Sequence, residues 1–191
     1  MRRPTPWTSL AFAAGLCLLV PLGAVAQSEP VDDATPIPVS VPELEGLAWY
    51  RSVDVSGPQI EETRDAEEVA DWSRLVEGAG ATFDDLQYSY YKAFDPSVLP
   101  RIGELAVVRI AGAETEALRA AVVQDIVDQM VSLGNDVPLS RESVIDGKAT
   151  VIVDLPAELG LEDAIVYASG DVAYVLLLDE ELAAQALAQL P

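Results

Sequence analysis

Residues 143–154 read SVIDGKATVIVD, and residues 165–178 read IVYASGDVAYVLLL. Each is an apolar run broken once by a short turn, Asp146-Gly147 in the first and Ser169-Gly170 in the second. Asp-Gly between apolar segments favours a two-residue hairpin, because the turn needs positive φ at both central positions. Two hairpins in succession lay four strands side by side without a crossover, and strands joined in this way pair antiparallel.

The rest of the chain extends that pattern. Leu86–Phe94 (LQYSYYKAF) alternates Leu86, Tyr88 and Tyr90 with Gln87 and Ser89, as a strand does, although Leu86, Tyr90 and Phe94 also recur at helical spacing. Asp95-Pro96-Ser97 is a turn, and Glu104–Ile110 (ELAVVRI) is its hairpin partner. Leu47–Val55 reads as a strand that stops at Ser56-Gly57-Pro58. Between these strands, residues 65–77 read as a helix. Asp65 and Glu68 have capping-box spacing, Val69, Trp72 and Val76 share a face, and Gly78 ends it. Residues 114–133 carry Leu118, Val122, Ile126 and Met130 at spacing four and stop at Gly134-Asn135. Asp179 caps a last helix with Leu182, Ala186, Leu187 and Leu190 on its apolar side.

No glycine-rich phosphate loop joins a strand to a helix, which excludes a doubly wound nucleotide fold. The expected class is α+β: a mostly antiparallel sheet of six to seven strands with three helices packed on it, in one domain over residues 43–191. Several strands, 105–108, 151–153 and 172–178, are apolar without alternation, so both of their faces should be covered. Three helices cover one face of such a sheet more easily than two. The second face is therefore expected to be closed by sheet curvature or by the 95–103 and 155–163 connections, or else to stay partly open as an interaction face. Tyr174, Leu176 and Leu178 form one candidate set for that face, and Val175 and Leu177 the other.

The first segment reads as an address. Arg2 and Arg3 precede the apolar run Ser9–Val20, and Ala24-Val25-Ala26 has the small-x-small form of a cleavage site. The run falls short of the ~18–20 residues of a spanning helix. The expectation is a Sec signal peptide over residues 1–26, cleavage after Ala26, a secreted or extracytoplasmic location, and no membrane insertion after cleavage. Residues 27–42 (QSEPVDDATPIPVSVP) hold four prolines and read as an extended tether.

Composition then limits the chemistry. The 191 residues hold 32 Asp+Glu, 11 Lys+Arg, no His and one Cys, for a net charge of −21. Cleavage would remove Arg2, Arg3 and Cys17 but no acid, taking the charge to −23. Without His or Cys there is no Ser-His-Asp triad, thiol nucleophile, disulfide or thiolate zinc site. What remains is carboxylate pairs, Ser–Lys pairs, or metals bound through oxygen. The charge repels phosphate, so nucleic acid is excluded as a partner, and anionic membrane surfaces are disfavoured.

Glu61, Glu62, Asp65 and Glu68 are the candidate ligands for a hard cation, within a run of six acids that also holds Glu67 and Asp71. No Asp-x-Asp-x-Asp-Gly loop accompanies them, and acids at a helix entrance serve the helix dipole equally well. Ser89-Tyr90-Tyr91-Lys92 has the Ser-x-x-Lys spacing of serine-acylating enzymes. On a strand that spacing sends the two side chains to opposite faces. Trp49, Tyr50, Trp72, Tyr88, Tyr90 and Tyr91 are candidates for a sugar-stacking platform or for the core.

Gly147-Lys148, Val166-Tyr167, Gly170-Asp171-Val172 and the closing LAAQALAQLP (182–191) together resemble small exported bacterial proteins that carry no assigned activity. The resemblance covers roughly the last two-thirds of the chain. It rests on turn glycines and apolar strands, so it carries over no catalytic residue. The expected function is an exported, non-catalytic binding or assembly module of the cell envelope, without a cofactor. Its expected partner is a second copy of itself or another envelope protein. The alternative is a cation-binding protein or hydrolase that works with carboxylates alone.

Overall fold

The computed structural model describes residues 41–95, 101–156 and 163–191. The signal segment, most of the tether and the centres of the 95–103 and 155–163 connections lie outside them. The described residues form β1 (Ala48–Ser56), α1 (Gly57–Thr63), α2 (Ala66–Gly78), β2 (Leu86–Phe94), β3 (Arg101–Ile110), α3 (Thr115–Ser132), β4 (Ser140–Ile145), β5 (Lys148–Val153), β6 (Ala164–Ser169), β7 (Val172–Leu177) and α4 (Glu180–Gln189). The strands make one seven-stranded sheet in the order β1-β2-β3-β7-β6-β5-β4. Every neighbouring pair is antiparallel. The class is α+β, as the hairpins predicted.

The first turn falls where the sequence puts it, and the second lies one residue later, at Gly170-Asp171 instead of Ser169-Gly170. Asp146 and Gly147 both take positive φ, +50° and +74°, and join β4 to β5 with Ile145 opposite Lys148. Ser169 pairs with Val172 across Gly170-Asp171, which joins β6 to β7. The chain thus forms a three-stranded and a four-stranded meander, and β3 and β7 zip them together. That central seam is reinforced by Arg109, whose Nε donates to Asp171 Oδ2 at 3.0 Å. Thr115 Oγ1 in turn donates to the Gly170 carbonyl at 2.9 Å and fixes the start of α3.

A fourth helix separates the structure from expectation. β1 stops at Ser56 as expected, and Gly57-Pro58 begins α1, a helix that the sequence did not suggest. Proline is well placed in a first helical turn, where its missing N–H leaves no partner unpaired. The Ser56 N–H donates to Gln59 Oε1 at 2.9 Å, half of a capping box. At α2, Asp65 accepts from the N–H groups of Glu67 and Glu68 at 3.1 and 3.0 Å. Asp179 accepts from Leu182 N–H at 2.8 Å and starts α4.

The helices divide between the two faces. Ile60 of α1, Trp72 and Val76 of α2, and Leu118, Ile126 and Met130 of α3 pack on the face that carries Tyr88, Val108 and Val175. Ala183, Ala186 and Leu187 of α4, with Leu44 from the segment before β1, pack on the face that carries Leu105, Tyr174 and Leu176. The two-sided burial expected from the apolar strands therefore holds, and of the two alternatives for the second face the open patch is not found among the described residues. Tyr174, Leu176 and Leu178 are 2%, 0% and 1% exposed, and Val175 and Leu177 are 4% exposed each. The physical reason is that α4 crosses to the second face instead of joining the other helices.

Two ties hold α4 there. Gln189 clasps the main chain of Glu43 in both directions, accepting from its N–H at 2.9 Å and donating to its carbonyl at 2.6 Å. Lys148 Nζ, from β5, donates to the carbonyls of Leu190 and Pro191 at 2.7 and 3.1 Å and lies 4.9 Å from the centre of the Tyr167 ring.

Candidate functional site

Glu61, Glu62, Asp65 and Glu68 lie at the elbow between α1 and α2. Pro58, Glu61, Glu62, Arg64, Ala66 and Val69 line a shallow groove there, of about 620 Å³ and open to solvent. The helices already use two of the four acids. Asp65 is the N-cap of α2, and Glu68 Oε2 stands 3.7 Å from Arg64 Nε. Among the described residues no three acids converge as a metal-binding group. The elbow is an acidic surface with one arginine in it.

The Ser-x-x-Lys pair falls on β2, with its side chains on opposite faces. Ser89 Oγ donates to Asp54 Oδ1 at 2.8 Å, while Lys92 Nζ lies 5.8 Å from the centre of the Tyr90 ring. A lysine on the other side of the sheet cannot take the serine's proton.

The aromatic residues also separate. Trp72 meets Tyr88 edge-on at 5.0 Å within the helical face, and Tyr91 is buried against α4's face. Trp49 Nε1 donates to the Pro42 carbonyl at 2.7 Å. Tyr50 is exposed on β1, edge-on to Phe94 at 5.5 Å. Among the described residues they make no common platform.

Two features that the sequence did not single out stand out structurally. The first is the outer edge of the sheet at β4. Val144 on that strand and Leu139 and Val137 just before it are 71%, 74% and 69% exposed. The β4–β5 register runs without a bulge from Ser140–Val153 to Ile145–Lys148. At the opposite edge, β1 carries an irregularity between Arg51 and Val53 that breaks its outer row of peptide groups. Acids surround β4. Arg141 bonds Asp154 and stands 3.8 Å from Asp163, and Glu142 lies 3.8 Å from Arg119 on α3. The sequence signal for this edge was weak, because Arg141 and Glu142 interrupt the apolar run that marks a strand.

The second feature is Asp125 on α3. It accepts from Gln129 Nε2 at 2.7 Å and lines a nearly closed cavity of about 10 Å³, with Leu75, Tyr88, Ala106, Val122 and Val175 among its walls. Burial, then the charges of Asp71 and Asp128, push its carboxyl up to about 7, against the opposing pull of Arg74 and the Gln129 hydrogen bond. Burial, then Glu104 and Asp125, also raise the Tyr88 hydroxyl well above its ordinary value. The signal was present in the sequence: Asp125 lies seven residues after Leu118, which places an acid on the buried stripe of the helix.

Comparison of the chain with family models, with curated proteins and with solved structures gives no match. Among the described residues no helix is long and apolar enough to cross a membrane.

Proposed function

We propose that this chain is an exported, non-catalytic binding module of the cell envelope, and that it binds by accepting an extended, basic segment of another protein along β4. The observation that carries the reading is the unbulged outer edge at β4, on which no strand among the described residues adds, with Leu139 and Val144 exposed beside it. An edge of this kind offers a row of peptide groups to an added strand, and alternate side chains of that strand reach the exposed apolar residues. β4 carries no bulge, proline or lysine, and its two charged residues, Arg141 and Glu142, are of opposite sign. Charge selects the partner. At −21 the chain repels a second copy of itself and attracts a segment of alternating Lys or Arg and aliphatic residues.

The test is a titration with a nine-residue peptide of alternating lysine and valine, beside a glutamate–valine peptide of equal length. The basic peptide should bind, more weakly at higher salt, and the acidic one should not. Replacing Leu139 and Val144 together by lysine should abolish binding, while Tyr50→Lys at the other edge should lower it only modestly. Equal binding by the double variant would refute the assignment to β4.

A further inference from the structure

The backbone of β4 sets which of its groups face outward. Ile145 and Lys148 close a two-residue hairpin, and the Leu139 carbonyl accepts from Asp154 N–H at 2.9 Å. Residues 139, 141, 143 and 145 therefore turn their peptide groups toward β5, while Ser140, Glu142 and Val144 turn theirs outward. Side chains alternate in the same step. Ser140, Glu142 and Val144 pair with Val153, Val151 and Ala149, and both valines belong to the core beneath the helices α1–α3. Glu142 and Val144 thus stand on the α3 face. Arg141 pairs with Ile152 and shares the α4 face with Ile145. Leu139, two residues before Arg141, follows the same alternation. The exposed aliphatic side chains of the edge therefore lie on opposite faces and at opposite ends of it.

Charge is placed as unevenly. The Glu142 side chain is 72% exposed and stands 3.8 Å from Arg119, whose guanidinium already bonds Glu116 at 2.6 Å. The α3 face thus sets two carboxylates against one guanidinium, and the Glu142 carboxylate is open to a second cation. On the α4 face β4 presents the guanidinium of Arg141, bonded to Asp154. A lysine added opposite Glu142 gains an ion pair, and the same lysine opposite Arg141 meets a like charge.

We infer that the edge reads an ordered pattern on a strand antiparallel to β4: an aliphatic residue opposite Val144, a basic residue opposite Glu142 and an aliphatic residue opposite Leu139. The inference rests on strand addition at β4 and gives that addition a direction and an order. Antiparallel addition continues the pairing found between all neighbouring strands of the sheet, and antiparallel ladders are slightly the more stable. Along the partner the pattern runs aliphatic, any, basic, any, any, aliphatic. The basic side chain and the first aliphatic one point to the α3 face, and the last points to the α4 face.

Two eight-residue peptides of one composition test the pattern. One is Thr-Val-Thr-Lys-Thr-Thr-Val-Thr, and the other moves the lysine one place, Thr-Val-Thr-Thr-Lys-Thr-Val-Thr. The lysine–valine peptide reports on addition itself. In calorimetric titration of the purified protein the first peptide should bind roughly fivefold more tightly than the second, from one ion pair gained and one like-charge contact avoided. Glu142→Gln, at an exposed site, should reduce that preference about twofold or more. Val144→Thr should weaken both peptides alike. Equal affinity for the two peptides, or an unchanged preference in Glu142→Gln, would overturn the pattern, and addition at β4 would stand if the lysine–valine peptide still binds. Preference for the second peptide would assign parallel addition and overturn it as well. No binding by any of the three would overturn both the pattern and the edge. A dimer that the peptides do not dissociate would place a second copy on β4 and overturn the pattern.

Discussion

Thr150 is fully buried on β5, and its hydroxyl has no hydrogen-bond partner among the described residues. An unsatisfied buried hydroxyl costs more than an apolar group of the same shape. Thr150→Val should therefore raise stability by about 1 kcal/mol, read as a higher urea midpoint at constant slope. Lys148 works in the opposite direction. Its ammonium joins β5 to the end of α4 through two carbonyls. Lys148→Met keeps the aliphatic stem and loses both charged hydrogen bonds, at an expected cost of about 1–3 kcal/mol. Asp125 adds a pH signature to the urea curve. Its upward displacement should weaken the fold by up to about 1.4 kcal/mol per pH unit between 3.8 and 7. Asp125→Asn should then stabilise the protein at pH 8 and change little near pH 4. Helical spacing places this acid on the apolar stripe of α3, but the sequence analysis did not single it out, and its neighbours are not local. Asp71 and Arg74 reach it only once α2 has docked.

At the scale of elements, the strands were legible because turn chemistry is local. Asp146-Gly147 and Gly170 fix their hairpins within a few residues. Residues whose role depends on packing were less legible. Gly57 read only as part of the segment that ends β1, yet a Cβ there would strike the Phe83 carbonyl. It is glycine so that α1 can approach that turn. Gly103 sits beside an irregularity in the β2–β3 register, and a Cβ there would strike Leu178 and the Leu177 carbonyl. Alanine at either position should cost about 1–3 kcal/mol by overpacking. The helix caps should be cheaper to lose. Asp65→Ala and Asp179→Ala remove side-chain acceptors at α2 and α4, for about 1 kcal/mol each in thermal melts. The assignment of helices to faces was hidden because an amphipathic stripe states that a helix is covered, not by which side of the sheet. The continuous apolar strands did carry the complementary information, that neither side would be wet.

Across the whole molecule, two sealed faces and an excess of acid leave the sheet edges as the places where another chain can add. Self-repulsion at −21 opposes compaction, and ~0.15 M salt shortens the screening length to about 8 Å. The melting temperature should therefore rise with sodium chloride, and no rise would remove the repulsion argument. Amide hydrogen exchange, recorded with and without the lysine–valine peptide, tests the proposed addition of a basic partner at β4. New protection should be confined to residues 140–145, with β1 (Ala48–Ser56) unchanged. Protection at β1 alone, at both edges equally, or at neither would contradict it.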